Sequence, residues 1–315
     1  MKKILFLWLL SYIYTIADAT IFVYHRFGDD RYPSTNTSIE QLRKDFEYIK
    51  NNGYTVVPLS KVVELIQNNQ EVPDKWVVIT IDDNYKSFYT NGLKVFKEYG
   101  YPFTLFVYIK ATEEKYGDFM TWDMLKEASK YGEIELHSYA HPKLTSLTKE
   151  AVLEDTQKAF EIFEKRMGKK PRFYAYPYGS YNKKVQEYLK GFGLEAILNQ
   201  TAGATSKDSN PHDLFRVPLV GKSNISGGLR YSVLDVEWIE PLEFPKDGVL
   251  RKVKAKVDKD IKTIKLFITD HGWTENVKVN DGIVDVDLNI PLNITRSRVT
   301  LGTTYYKTSS QILIK

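Results

Sequence analysis

Two short stretches carry side chains whose types and spacing could do chemistry. Thr80-Ile81-Asp82-Asp83-Asn84 sets two carboxylates side by side, which is costly unless a cation or a proton separates their roles. His137-Ser138-Tyr139-Ala140-His141 sets two imidazoles four residues apart, and such a pair converges on one metal ion when the backbone between them turns. Taken singly, an Asp-Asp pair is ordinarily a polar turn. Here two of only five histidines fall within five residues and cysteine is absent, so a transition-metal site must be built from His, Asp and Glu. One carboxylate and two imidazoles make a three-ligand centre with positions open for water, as hydrolytic metal sites require. The second carboxylate is then free to act as a general base. Tyr24-His25-Arg26 and Tyr176-Pro177-Tyr178-Gly179 add a further histidine and a tight turn.

All four stretches follow apolar runs that read as strands. Runs at 20–24, 76–81, 103–108, 133–136, 173–176 and 195–198 alternate with amphipathic segments at 39–50, 93–99, 122–130, 149–167 and 183–190. Ser38 and Gln41 have capping-box spacing, which places the start of the first helix. Alternating strand and helix implies a mainly parallel sheet, and about seven strands in roughly 200 residues suit a distorted (β/α) barrel. In such a barrel the strand C-termini share one face, which gathers His25, Asp82, Asp83, His137, His141 and Tyr178. Beyond residue 223 the period changes. Val253, Ala255 and Val257, then Val284, Val286, Leu288 and Ile290, alternate with polar residues, and Asp281-Gly282 marks a hairpin. The expected division is a leader at 1–19, an α/β barrel domain at 20–222 and a small all-β, sandwich-like domain at 223–315.

The leader reading rests on Lys2 and Lys3, the apolar run from Ile4 to Leu10 and the small-x-small Ala17-Asp18-Ala19. Its apolar part is short for a bilayer span of about 20 residues, so export with cleavage after Ala19 is expected, to the periplasm, cell envelope or medium. A retained anchor is the alternative. The net charge of +4 comes from 44 basic and 40 acidic side chains without like-charged blocks, which argues against a nucleic-acid partner.

These motifs resemble the polysaccharide deacetylase family (NodB homology, carbohydrate esterase family 4). Thr80 to Asn84 resembles its Thr-Phe-Asp-Asp-Gly motif, and His137 to His141 matches its His-Ser/Thr-x-x-His. The resemblance implies Asp82 as catalytic base and Asp83, His137 and His141 as ligands of a divalent metal, commonly zinc, with cobalt or nickel as substitutes. Pro177-Tyr178-Gly179 resembles the end of the third motif, where the tyrosine N–H helps bind the oxyanion. Asn84 departs from the usual glycine, and the third motif lacks its arginine; Arg216 is the suggested substitute, orienting Asp82. Phe22-Val23-Tyr24-His25 is similar to an exported poly-N-acetylglucosamine deacetylase branch, which implies His25 as the acid. The implied activity is removal of N-acetyl groups from poly-N-acetylglucosamine, peptidoglycan or a chitin-like glycan. A catalytically inactive glycan-binding protein on the same fold is the alternative. The C-terminal β domain is expected to meet the cell envelope or a protein partner.

Overall fold

The computed structural model describes residues 18–221 and 223–315; most of the expected leader lies outside the described residues. Strands β1 (Thr20–Tyr24), β2 (Trp76–Ile81), β3 (Thr104–Val107), β4 (Glu133–Leu136), β5 (Phe173–Ala175), β6 (Ala196–Leu198) and β7 (Val217–Pro218) form one parallel sheet. Their order is β7-β1-β2-β3-β4-β5-β6, with the two-residue strand Thr55–Val56 beside β2. Helices α1 (Ile39–Asn51), α2 (Leu59–Gln67), α3 (Leu93–Tyr99), α4 (Trp122–Ala128), α5 (Lys149–Met167) and α6 (Lys183–Leu189) lie between them. Ser38 caps α1 by accepting from the Gln41 N–H at 3.0 Å, and Thr121, Thr148 and Asn182 cap α4, α5 and α6 in the same way.

The strands are largely apolar because both faces are covered. Phe22, Tyr24, Ile79, Ile81 and Leu105 share one core with Leu42 and Phe46 of α1, Phe96 of α3 and Phe163 of α5. Ile21, Val78, Phe106 and Ala175 point the other way and share a second core with Leu59, Val62 and Val63 of α2. Leu214 bridges Leu198 in parallel, and three residues later Val217 pairs with Phe22. The 214–218 segment therefore touches both edges of the sheet and closes it into a distorted barrel, with Arg216 between the edges.

Ala19 is fully buried and exchanges two 2.8 Å hydrogen bonds with Thr205, while Asp18 accepts from the Val233 N–H at 2.9 Å. Past β7, a four-residue helix, Ile225–Gly228, still belongs to the barrel: Ile225 is in its core and donates its N–H to Asp45 at 3.1 Å.

The chain then turns to strands β8 (Glu237–Glu240), β9 (Val249–Lys256), β10 (Thr263–Ile268), β11 (Gly272–Lys278), β12 (Ile283–Pro291), β13 (Arg296–Gly302) and β14 (Lys307–Ile314). They make a three-stranded sheet, β8-β9-β12, and a larger one, β14-β13-β10-β11, extended by Ser232–Val233 running parallel to β14. Val253, Ala255, Leu266, Ile268, Val284, Val299 and Leu301 form the core between them. Among the described residues no helix is long and apolar enough to cross a membrane.

Candidate active site

Parallel register delivers the motifs to one end of the barrel. Asp82 follows Ile81 at the end of β2 and donates its N–H to Tyr24 O at 3.0 Å, and His137 follows Leu136 at the end of β4 and donates to Val107 O at 2.9 Å. The loops that follow turn through the left-handed region: φ is 70° at Asp83, 42° at Asn84, 69° at Ser138 and 53° at His141. Each such residue costs about 1–3 kcal/mol and persists where its surroundings impose it. Those surroundings are visible. Asn84 accepts from the Tyr108 N–H at 2.8 Å and donates to Thr112 Oγ1 at 2.9 Å, so asparagine, which tolerates positive φ, gains two bonds that glycine could not make. Asp155 of α5 accepts from the Tyr139 and Ala140 N–H groups at 3.0 and 2.8 Å, and Ser138 Oγ from that of His141 at 2.9 Å. That turn brings the second imidazole back beside the first.

The two Nε2 atoms stand 3.2 Å apart, and Asp83 Oδ1 lies 3.1 Å from that of His141 and 3.5 Å from that of His137. Three potential ligand atoms thus lie within 4.8 Å of one another. His137 Nδ1 lies 2.8 Å from Ala175 O; donating there leaves its Nε2 lone pair facing the cluster, the tautomer a metal needs. Among the described residues no group hydrogen-bonds the buried Asp83 Oδ1, an arrangement a cation would satisfy. The residues present therefore fit a divalent metal. Burial pushes His137 down to about 4, which keeps it neutral, as a ligand must be. Burial pushes the Asp83 carboxyl up, but the His141 and His137 rings outweigh this and hold it well below the carboxylate range.

Asp82 does not join the cluster. Its Oδ2 is 3.9 Å from His137 Nε2, and both of its oxygens are taken by Arg216, through Nη1 at 2.7 Å and Nη2 at 2.8 Å. Arg216 is itself completely buried, with Nε donating to Asn199 O at 2.7 Å and Nη1 to Thr80 Oγ1 at 3.2 Å. Burial pushes Asp82 up; the Arg216 guanidinium and then His137 overcome it, so the carboxyl sits below its usual range and stays ionised.

His25 follows β1 on the same face as both aspartates, and among the described residues no group hydrogen-bonds its buried Nδ1. Pro177 is buried and Tyr178 exposed; they open the single turn Pro177–Gly179 after β5, in which Pro177 has no N–H and Gly179 donates its own to Tyr176 O at 2.8 Å. The Tyr178 ring stands 4.5 Å from that of His141 and the Tyr108 ring 5.4 Å, forming walls at the mouth. Sequence reasoning passed over Gln200, which donates to Asp82 Oδ2 at 3.2 Å, and Asn199. The available signal was their place just after the 195–198 run. Asp155 and the Ala175 carbonyl had no local signal at all.

Residues 69–197 match the family model for polysaccharide deacetylase. The chain is 26% identical over 206 residues to YxkH of Bacillus subtilis (strain 168), named for the same family, covering 64% of this chain and 71% of that one. It is 25% identical over 233 residues to the poly-beta-1,6-N-acetyl-D-glucosamine N-deacetylase of Escherichia coli (strain K12), spanning 60% of this chain but only 34% of that relative. In fold it is similar to the Streptococcus pyogenes deacetylase PplD, with TM-score 0.63 and 19% identity over 69% of this chain and 98% of that one. IcaB from Ammonifex degensii gives TM-score 0.62 and 22% identity over 68% and 97%. The match to the polysaccharide deacetylase family thus spans the segment that holds Asp82, Asp83, His137, His141 and Tyr178.

Proposed function

We propose that the protein is a metal-dependent hydrolase, exported from the cytoplasm, that removes N-acetyl groups from an amino-sugar polysaccharide. The observation that carries this reading is the Asp83, His137 and His141 cluster beside a carboxylate, Asp82, that the cluster leaves free and Arg216 holds ionised. The E. coli relative, named for poly-N-acetylglucosamine, supports a glycan rather than a small amide as substrate.

A divalent cation in the cluster, zinc best matching its imidazole and carboxylate donors, would supply Lewis acidity and lower the pKa of water. Asp82 is placed to take the proton of an attacking water as a general base. The Tyr178 N–H, at the start of its turn, would donate to the oxyanion that develops on the acetamide carbonyl. His25 in its protonated form would give a proton to the departing amine, which leaves poorly as an anion. Arg216 touches the base rather than the substrate and would act by orienting Asp82.

The test is acetate release from N-acetylglucosamine oligomers by the purified protein, with and without added zinc or cobalt, beside Asp82→Asn. Metal-dependent release that the substitution abolishes supports the reading. Stoichiometric metal without release from any oligomer would overturn it in favour of glycan binding alone.

A further inference from the structure

The barrel and the β domain meet at the rim of the site, where strand β13 begins. Ser297 and Val299 of β13 point into the β-domain core and are buried, so Arg296 and Arg298 share its opposite face. Arg296 Nη1 reaches the carbonyl of Tyr178 at 3.5 Å. Lys143, two residues beyond His141, reaches Thr295 Oγ1 at 3.5 Å.

Among the described residues neither arginine has a carboxylate partner. Each of the other described arginines except Arg230 pairs with a carboxylate. The groups acting on Arg296 are Tyr181 and the like charge of Arg298; on Arg298 it is Tyr231, and burial holds both below the ordinary guanidinium range. Half-buried cations that have lost water without gaining a counter-charge are costly, and an anion bound between them would offset that cost. The Arg298 guanidinium lies 4.8 Å from the Phe267 ring centre, and Trp273 stands 5.3 Å beyond it, continuing the face as an aromatic platform suited to a sugar ring.

We propose that Arg296 and Arg298 form a subsite for an anionic sugar unit flanking the acetylated one, so that the substrate is an acidic N-acetylated glycan bearing carboxylate or phosphate. This rests on the deacetylase reading. Acetate release is measured on three sets of oligomers: neutral N-acetylglucosamine, N-acetylglucosamine alternating with a uronic acid, and N-acetylglucosamine units joined by phosphodiesters. The expected result is a KM about 10- to 100-fold lower on one acidic set, the range that charge-assisted hydrogen bonds give; which set it is separates carboxylate from phosphate. Arg298→Gln should remove that advantage while leaving kcat and the neutral KM unchanged, which also shows that the variant is folded, and Arg298→Lys should recover part of it. Equal KM on all three sets, or an Arg298→Gln effect that is the same on neutral and acidic oligomers, would overturn the subsite. If no oligomer is deacetylated, the deacetylase reading fails, and calorimetric titration of the acidic oligomers decides the subsite separately. Binding lost in Arg298→Gln supports it, and no binding to the unsubstituted protein overturns it.

Discussion

Arg216 grips Asp82 across 134 positions of sequence with two parallel hydrogen bonds of 2.7 and 2.8 Å, and neither side chain has any solvent exposure. The pair exists because the closing segment of the barrel carries a guanidinium into its centre, opposite the end of β2. A fork of this kind fixes both the position and the ionisation of the carboxylate.

Breaking it should have two separable effects. Arg216→Ala leaves a buried carboxylate unpaired and should cost about 3–5 kcal/mol of stability, read from denaturant melts. Arg216→Lys keeps the charge but loses the fork; kcat should fall at least tenfold. Because Arg216 holds the Asp82 carboxyl low, weakening it raises that pKa, and the acid limb of the kcat/KM profile should move to higher pH. An unmoved limb would mean that Asp82 is not the base.

Removing ligands should abolish metal binding before it abolishes folding. Asp83→Ala, His137→Ala and His141→Ala should each lose stoichiometric zinc by elemental analysis. The unsubstituted protein should be more stable with zinc than with chelator, by about 2.7 kcal/mol at a free metal concentration a hundredfold above Kd. Zinc retained in all three variants would place the metal elsewhere.

Asp213 makes stability depend on pH. Burial raises its carboxyl to about 7, although Tyr181 and Asn199 donate to it. The folded state therefore holds a proton that the unfolded chain releases near the ordinary aspartate value. This contribution is complete below about 4 and is lost as pH rises through about 7. His137, pushed down to about 4, works in the opposite sense over the same window, so the reading is the difference between proteins: in thermal melts the unsubstituted protein should lose stability relative to Asp213→Asn as pH rises. Equal slopes in both proteins would count against it.

On the proposal that the protein is exported, its mature N-terminus should retain Asp18 and Ala19. Cleavage after Ala19 would remove both hydrogen bonds to Thr205 and the acceptor of the Val233 N–H, whereas a cut at Ala17 preserves them. N-terminal sequencing of secreted material reads the difference directly; a chain starting at Thr20 would show the barrel tolerates their loss.

The barrel was legible because buried parallel strands and their helices carry opposite periodicities over long runs, and Ser38 marked a helix start that the backbone adopts. Asp83, His137 and His141 were legible because a parallel sheet presents its strand ends on one side, whatever the intervening loops do. Asn84 read as a departure from the family motif and is in fact a compensated one, since its bonds to Tyr108 and Thr112 join residues more than twenty positions apart. Arg216 was picked out from the missing arginine, but its fork on Asp82 depends on how the barrel closes.

The amino-acid sequence by itself determined which side chains could ligate a metal, which end of the sheet they occupy and where the fold changes from α/β to β. Those are properties of local period and strand direction. Only the tertiary structure decided that Asp82 is held by Arg216 rather than joining the cluster, that Ala175 sets the His137 tautomer, and that β13 brings two arginines to the rim. Each of these is a contact between segments distant in the chain, fixed by ring closure and domain packing, and no local pattern encodes it.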